Sequence, residues 1–560
     1  MKKFSILFLL FIPLLSIAGK NSDTLKFWVA FKDKANSPYG TDRPLAYLSQ
    51  KSIDRRAKFG IKITEQDFPV NPNYVKQIAG MGVTVLNTSR WLNGMSIQTA
   101  DLGTVKKILE LPFVSAVEKV GIKSNQDNSK MDYLLEFFMS LGEEEKDTTT
   151  IDDSYYGDGL NQIQMLNGVA MHQLGYTGKG VDIAVLDGGF MNVNKIKAFN
   201  HLFSRGLIAG TWDFVNIEES VIEDNNHGMN VLSCMAAKIP GKMVGTAPDA
   251  RYWLLRTEDA NSEYIIEEYN WATGAEFADS AGVDIINSSL GYTNFDDETT
   301  SHTFAQLNGK TSVASIAAAI AAKKGIIICN AAGNEGNDPW RYVGAPADAF
   351  GIITVGGVSP DKEHVDFSSY GPTSDGRIKP TVCAQASKAY VASVSDGFYG
   401  SQGTSFASPI LCGMVACLRQ ANPDRTVEEM IAAIEMSSDK YLHPDTILGS
   451  GIPNFISANR YLGGDKAFNY KRNQIETPPS EVFTNSIGFT AFSPRYDNIV
   501  LTLSNKKGEI VERKSIQPKV KTGTGFYKTE IEMPADLPKG KYTLSLKMGN
   551  DEFSYPLVKE

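Results

Sequence analysis

Between residues 160 and 462, short apolar runs bounded by glycine alternate with segments of helical character. Helix-like stretches cover 228–238, 262–281 and 312–324. The apolar runs between them read VDIAVLD, RYWLLRT, VDIINSSLG, GIIICNAAG and GIITVGGV. Strands that are apolar on both faces need cover on both faces, which helices flanking a parallel sheet provide. The pattern therefore predicts an α/β fold, with ligands bound at the carboxyl ends of the strands.

Two smaller units flank this α/β region. The first, ahead of residue 121, mixes strand-like runs such as KFWVAF and GMSIQTA with helical stretches near 43–58 and 103–111, which indicates an α+β domain. The second, after about residue 466, shows strand alternation broken by Gly, Asn and Lys turns, which predicts a small β-sandwich. The predicted units are a leader at 1–18, an α+β domain at 19–121, an acidic linker at 122–158, the α/β domain at 159–465 and the β-sandwich at 466–560.

The start of the chain, MKKFSILFLLFIPLLSIAGK, has the pattern of an export signal. Two lysines precede an apolar run over residues 4–15, and small residues around Ala18 suit cleavage there. A membrane anchor is the alternative, but this run is shorter than the ~20 residues that span a bilayer. We therefore expect an exported protein, extracellular, at the cell surface or periplasmic, without a transmembrane segment.

The net charge argues against a nucleic-acid partner, and the composition of residues 122–158 indicates an exposed linker. The formal net charge is −9, whereas a nucleic-acid binder needs basic patches. The segment 122–158 is rich in Asp, Glu, Asn and Thr, so we expect it to be exposed and to contain a processing site.

The chain has five cysteines, an odd number for an exported protein. All five lie among apolar or small residues, as in GIIICNAAG and ILCGMVACL, so we interpret them as free buried thiols. A disulfide framework is the alternative, and the spacings show no zinc pattern. The sequence predicts no metal site and no cofactor.

Polar residues that follow the apolar runs suggest nucleophilic catalysis. Asp187 ends VDIAVLD, Asn334 lies in AAGNEG, and Ser405 follows Gly403 ahead of a helix that is apolar nearly all round. A serine hydroxyl becomes a useful nucleophile only when a base takes its proton and a third group orients that base. The amide of Asn334 and a backbone N–H beside Ser405 would supply donors for an oxyanion.

Six histidines are candidates for the base. Only His227 stands at the entry to a predicted helix and is followed by a glycine, Gly228, which allows another segment to approach closely. An HG pair alone is also compatible with a surface histidine. The other five occupy probable helices, hydrophilic loops or the segment KYLHPD: His172, His201, His302, His364 and His443.

The order Asp187, His227, Ser405 is the order found in subtilisin-type triads. With SLG at 289–291, AAGNEG at 331–336 and GTSFASP at 403–409, the chain over roughly 170–460 resembles the subtilisin-like serine proteases, or subtilases, of peptidase family S8. The resemblance implies a serine endopeptidase that acts on proteins or peptides through an acyl-enzyme on Ser405. It also implies that His227 is the base, Asp187 its orienting carboxylate and Asn334 the oxyanion donor.

The same resemblance extends to substrate, propeptide and metal. It implies that two segments bind the substrate, namely Ser289, Leu290, Gly291 and Ala331, Ala332, Gly333. It implies that the α+β domain is a propeptide that inhibits the enzyme until it is cut away. The C-terminal ending is similar to sorting domains of the type IX secretion route, and a plain accessory β-domain is equally open. Structural calcium is common in the family, but no carboxylate loop here is specific enough to place it.

Departures from the family pattern surround the candidate residues without removing one. After HG the chain reads MNVLSC where the family has THVAG, the aspartate is followed by GGF, and KPTVCAQA at 379–386 replaces KPDVVAPG. A rival enzyme class, the α/β-hydrolases, would need Asp424 or Asp445 with His443, and GTSFA lacks their second glycine. A catalytically silent binding or structural protein of the same fold is the alternative from another class.

Overall fold

The computed structural model describes residues 24–123, 151–517 and 525–560. The predicted export signal and most of the predicted processing linker lie outside these described residues. Within them, no helix has the length and apolar character needed to cross a membrane.

The N-terminal domain is a four-stranded antiparallel sheet in the order β2-β3-β1-β4, and two of its three helices pack into a core with the strands. Its elements are β1 (Thr24–Phe31), α1 (Gln50–Lys58), α2 (Pro72–Ala79), β2 (Thr84–Ser89), β3 (Gly94–Thr99), α3 (Leu102–Leu109) and β4 (Val114–Lys123). Apolar residues of strands and helices, among them Val29, Ile78, Ile97 and Ile108, form its core. The α+β prediction is confirmed, and β4 continues two residues past the predicted limit at 121.

The central domain contains a seven-stranded sheet in the order β13-β12-β11-β10-β5-β9-β6, with every pairing parallel. The strands are β5 (Asp182–Asp187), β6 (Ile208–Asp213), β9 (Arg251–Arg256), β10 (Ile285–Ser288), β11 (Ile327–Ala331), β12 (Ile353–Val358) and β13 (Val382–Gln385). Two antiparallel ribbons, β7 (Lys238–Ile239) with β8 (Met243–Val244) and β14 (Ala389–Ala392) with β15 (Phe398–Ser401), lie outside it. The predicted parallel sheet is confirmed.

Helices cover both faces of this sheet. They are α4 (Leu160–Gln164), α5 (Gly168–Gln173), α6 (Asn200–Ser204), α7 (His227–Ala236), α8 (Ile266–Ala281), α9 (Val313–Lys323), α10 (Thr404–Ala421), α11 (Val427–Ser437) and α12 (Phe455–Tyr461). Along β5, Ile183 and Val185 belong to the core that includes residues of α7 and α10, whereas Ala184 and Leu186 belong to the core that includes residues of α8 and α9. This alternation explains why the strand is apolar at successive positions.

The linker ahead of this domain differs from its prediction near its end. Tyr155 and Tyr156 are 5% and 0% exposed, although the acidic segment was expected to be exposed up to residue 158. The Tyr156 hydroxyl and His172 Nδ1 are 2.9 Å apart in a hydrogen bond. Two aromatic rings bury enough apolar surface to draw this end of the segment into the core.

Single 3-10 turns lie at Pro44–Ala46, Glu65–Asp67, Asp153–Tyr156, Lys197–Phe199, Glu298–Thr300 and Phe304–Gln306.

The C-terminal domain consists of two strand layers. One sheet has the order β16-β18-β21 and the other β17-β23-β22-β19-β20. The strands are β16 (Gln474–Thr477), β17 (Val482–Phe483), β18 (Ser486–Phe492), β19 (Ile499–Asn505), β20 (Ile510–Ile516), β21 (Phe526–Glu532), β22 (Gly540–Met548) and β23 (Asp551–Lys559). Residues of both sheets, including Phe489 and Leu501, share one core, as expected for a β-sandwich. Phe526 also packs on Tyr461 of the central domain, with ring centroids 5.0 Å apart.

All five cysteines are free and buried, in agreement with their interpretation as small hydrophobic residues.

Candidate active site

Asp187 is the last residue of β5 and lies at the carboxyl edge of the sheet, fully buried. Its Oδ1 accepts hydrogen bonds from the Gly188 N–H at 2.8 Å and from His227 Nδ1 at 2.7 Å. The chain then turns at Gly189, where φ is +145° and a Cβ would lie 2.6 Å from the Asn225 nitrogen. Gly189 therefore allows the loop before α7 to approach the turn that follows the carboxylate.

His227 is the first residue of α7, and its N–H donates to Asn225 Oδ1 at 2.7 Å. Gly228 follows because a Cβ at that position would lie 2.5 Å from the Gly189 carbonyl oxygen and 2.9 Å from Asp187 Cβ. The helix start and the Asp187 turn are thus in direct contact. The bond from Nδ1–H to Asp187 leaves Nε2 as the acceptor of the neutral ring, and the side chain keeps 37% exposure.

The pKa of His227 is raised above its ordinary value. Burial lowers this pKa, but the charge of Asp187 and the hydrogen bond to it outweigh burial because they stabilise the protonated ring. The arrangement therefore favours an imidazolium held by a carboxylate, which is what a base needs after it has taken a proton.

Ser405 is the second residue of α10, a helix that packs against α7. Its hydroxyl donates to the Ser289 carbonyl at 3.4 Å, and the Ser289 hydroxyl donates to the Ser405 carbonyl at 2.7 Å. The ring of the next residue, Phe406, lies 6.0 Å from the His227 ring, centroid to centroid. The start of α10 thus places Ser405 against the segment that follows β10, and it brings the neighbouring residue, Phe406, to the His227 ring.

Asn334 lies in an exposed loop three residues after β11 and contacts the start of α10. Its Oδ1 accepts hydrogen bonds from the Thr404 N–H at 2.8 Å and the Thr404 hydroxyl at 3.1 Å. The oxygen of the amide therefore faces Thr404, and the Nδ2 group is the end that Thr404 does not engage. An amide nitrogen held in this way beside a serine can donate to an oxyanion.

Two residues outside the predicted set position this site. The Thr404 hydroxyl bonds the Gly333 carbonyl at 3.0 Å and so fastens the Asn334 loop to α10. Arg256 donates from Nε to the Gly188 carbonyl at 3.1 Å and from Nη1 to Asp213 at 2.8 Å, which holds the turn after Asp187. In the sequence, Thr404 could have been found from its position inside the motif GTSFASP. Arg256 could have been found as a charged residue at the end of the apolar run RYWLLRT.

The predicted substrate-binding segments leave the sheet side by side. Ser289, Leu290 and Gly291 follow β10, while Ala331, Ala332 and Gly333 end or follow β11, its parallel neighbour. Asn330 Nδ2 joins the two segments through a 3.2 Å bond to the Leu290 carbonyl. Of these residues, Gly291 is exposed and Leu290 and Gly333 are partly exposed, whereas Ser289, Ala331 and Ala332 are buried. Their role in substrate binding remains a prediction.

The remaining histidines are engaged away from this site or lack its partners. His172 is buried between Tyr156 and the Thr246 carbonyl, and burial lowers its pKa to about 4. His302 was expected in a hydrophilic loop, but its ring is buried and pairs with Glu268 of α8, because a carboxylate inside the domain supplies it with a charged partner. Of the six, His227 is the one that the structure places against Asp187.

A buried carboxylate, a histidine and a serine at the edge of a parallel sheet define a serine hydrolase with the chain order Asp, His, Ser. The sequence profile of the subtilase family matches residues 178–451, and that of the peptidase S8 propeptide domain of Bacteroidota matches residues 26–132. The chain belongs to the subtilase family, a family of serine endopeptidases, and carries its own propeptide domain.

Named relatives agree with this assignment. Serine protease AprX of Bacillus subtilis strain 168 is 30% identical over 312 residues, which cover 50% of this chain and 66% of AprX. Subtilisin NAT of Bacillus subtilis subsp. natto is 29% identical over 307 residues, covering 54% of this chain and 70% of the relative. The thermostable alkaline protease of Halalkalibacterium halodurans is 26% identical over 291 residues, or 52% and 70% of the two chains.

Proposed function

We propose that this protein is an exported serine endopeptidase, made as a preproenzyme, that hydrolyses proteins or peptides through an acyl-enzyme on Ser405. The observation that carries the proposal is the hydrogen bond of 2.7 Å between His227 and the buried Asp187. The ring of Phe406, the residue after Ser405, lies 6.0 Å from the His227 ring. A catalytically silent binding protein of this fold would have no need for the paired carboxylate.

The chemistry follows from the positions of the side chains. The Ser405 hydroxyl turns from the Ser289 carbonyl to Nε2 of His227, which takes its proton as oxygen attacks the scissile carbonyl. The Asp187 carboxylate stabilises the imidazolium, and the amide of Asn334 with a backbone N–H of α10 donates to the oxyanion. His227 then protonates the leaving amine, and water hydrolyses the acyl-enzyme by the reverse path.

The propeptide domain is proposed as an intramolecular inhibitor, cut by the enzyme itself. Its sheet packs on α8, where Trp28 stacks on Tyr269 with ring centroids 4.5 Å apart. At the end of β4, a Cβ at Gly121 would lie 3.3 Å from Tyr264 Cβ, in the loop that precedes α8. Export, with or without help from the C-terminal sandwich as a sorting domain, is proposed from the N-terminal signal pattern.

The test compares the wild-type chain with Ser405→Ala and with Ser408→Ala, a matched control on the same helix whose hydroxyl donates to Asn287 at 2.9 Å. We expect propeptide cleavage, casein hydrolysis and labelling by a fluorophosphonate in the wild type and in Ser408→Ala, and none of the three in Ser405→Ala. Equal behaviour of Ser405→Ala and the wild type would refute the peptidase proposal and favour the silent binding protein.

A further inference from the structure

Three glutamates converge next to the active-site turn, on a segment that the catalytic mechanism does not use. Glu258 follows β9, Glu263 lies in the next loop and Glu267 is the second residue of α8. One carboxylate oxygen from each lies within 4.8 Å of the other two. We call these residues the glutamate cluster. The sequence patterns placed no metal here because the spacing matches no familiar loop.

Glu267 is the member whose environment points to a ligand. The residue is 2% exposed, and its Oε1 accepts a hydrogen bond from the Asp259 N–H at 3.0 Å. Its Oε2 is buried and has no hydrogen-bond partner within residues 24–123, 151–517 and 525–560. A buried carboxylate oxygen without a donor is costly, so an ionised Glu267 needs a positive partner close to the other two glutamates.

The nearby cations of the protein do not supply that partner. Arg256 is committed to Asp213 at 2.8 Å and Asp224 at 3.1 Å. Lys26 of the propeptide domain interacts electrostatically with Glu267. In the described part of the chain, however, no ion pair within 4.0 Å joins any of the three glutamates to a cation. Among the described residues, the Tyr292 hydroxyl is the donor that bonds Glu258.

We propose that the glutamate cluster is a binding site for a divalent cation of the calcium type. Carboxylate oxygens are the ligands that hard cations prefer, and Ca²⁺ takes six to eight of them at about 2.3–2.6 Å. A separation of at most 4.8 Å suits oxygens that share one such ion, even on opposite sides of it. Mg²⁺ demands a tighter octahedron and keeps more of its water, so Ca²⁺ fits three converging glutamates better.

A bound cation would link the turn after Asp187 to the segment that follows β10. A Cβ at Gly188, next to Asp187, would lie 3.7 Å from Glu258 Cβ. On the other side, Tyr292 follows the segment Ser289–Gly291 and donates to Glu258. The cation therefore stabilises the loops that carry the site, without touching the reacting atoms. This inference does not depend on peptidase activity.

Calcium binding is tested on the full-length chain with Ser405→Ala, which keeps the preparation uniform. After removal of metal by EDTA, Ca²⁺ binding is followed by calorimetry and by the change in Tm. We expect Ca²⁺ at about 100 times its Kd to raise the Tm by at least about 3 °C. Glu267→Gln should weaken Ca²⁺ binding at least about tenfold, because one ligand charge is lost. Its Ca²⁺-free Tm should not fall, since the substitution also removes mutual repulsion.

Two further variants make the test decisive. Glu263→Gln changes a partly exposed member of the cluster and should give the same loss of Ca²⁺ affinity. It therefore serves as the test if Glu267→Gln folds poorly. Glu428→Gln changes an exposed glutamate of α11 and should leave Ca²⁺ binding unchanged. The proposal is overturned if Ca²⁺ leaves the Tm of the parent chain unaltered, or if both cluster variants bind Ca²⁺ as tightly as Glu428→Gln.

Discussion

At the scale of single residues, the site depends on how His227 and Asn334 are held rather than on their presence. His227 has one ring nitrogen bonded to a buried carboxylate at 2.7 Å, and Asn334 has its amide oxygen bonded twice to Thr404. Each side chain is thereby oriented through one end, so that the other end can meet the substrate.

Replacing Asp187 by asparagine should lower kcat by about 10⁴-fold, because the amide favours the wrong tautomer of His227 and no longer stabilises its charge. The neutral ring is the active base, so kcat/KM rises with pH as the ring loses its proton. The raised pKa of His227 places that rise at higher pH than for an ordinary histidine. In Asp187→Asn, burial alone remains, and the rise should move to lower pH in a pH–rate profile. A rise that stays in place would contradict the pairing.

Replacing Asn334 by alanine should lower kcat by about 10²- to 10³-fold while KM and the Tm change little. The reason is that Asn334 is exposed and its proposed bond to the oxyanion forms only in the transition state. Steady-state kinetics and a thermal melt of the same sample measure both effects. An unchanged kcat would show that the oxyanion is stabilised by other donors.

At the scale of elements, the first two turns of α7 explain the residues that depart from the family pattern. Asn230 donates from Nδ2 to the Ala392 carbonyl at 2.6 Å, and the Ser233 hydroxyl accepts from the Ala392 N–H at 2.9 Å. Met229 is fully buried. The residues after HG therefore attach α7 to β14 and fill the core, which accounts for substitutions that leave the catalytic residues in place.

Gly228→Ala should impair activity without changing any catalytic side chain. A Cβ there would lie 2.5 Å from the Gly189 carbonyl oxygen and would force α7 away from the Asp187 turn. Small displacements of a catalytic group can cost about 10²-fold in rate. Gly397→Ala is the control, because a Cβ at that position meets no atom within 4 Å. Comparable kcat/KM values for the two variants would argue against the close contact.

At the scale of the whole molecule, buried ion pairs join the propeptide domain to α8. Asp279 is fully buried and accepts from Arg55, from Arg56 at 2.7 Å and from Arg90 at 2.6 Å. Glu276, one turn earlier on α8, accepts from the Arg90 N–H at 2.8 Å. Because the arginines come from one domain and the acids from the other, the charges hold the propeptide domain on this helix.

Asp279→Asn should lower the free energy of unfolding of the full-length Ser405→Ala proenzyme by about 3–5 kcal/mol, since it leaves buried arginines without their carboxylate. Urea unfolding followed by fluorescence measures the change. Lys119→Met is the control, because it breaks an exposed pair with Asp297 at 2.9 Å, which is worth less than about 1 kcal/mol. If both variants unfold at the same urea concentration, the buried pairs do not stabilise the interface.

The local sequence was sufficient for the elements that follow from periodicity and chain order. Apolar runs with glycine at their ends predicted the parallel sheet. Polar residues after those runs and at the start of an apolar helix predicted Asp187, Asn334 and Ser405 as site residues. His227 could be chosen among six histidines because it stands at the entry to a predicted helix, is followed by a glycine and fits the chain order Asp187, His227, Ser405. These features are local, so a short stretch of sequence carries them.

Tertiary structure alone decided the rest. The contacts of Arg55 and Arg90 with Asp279 join residues far apart in the chain. The hydrogen bond from Thr404 to Asn334 likewise joins α10 to the loop after β11. Whether Glu267 on α8 faces solvent or a buried carboxylate cluster depends on what packs against that helix. Local patterns specify which residues can be buried, but only the packing of the elements determines which buried groups meet.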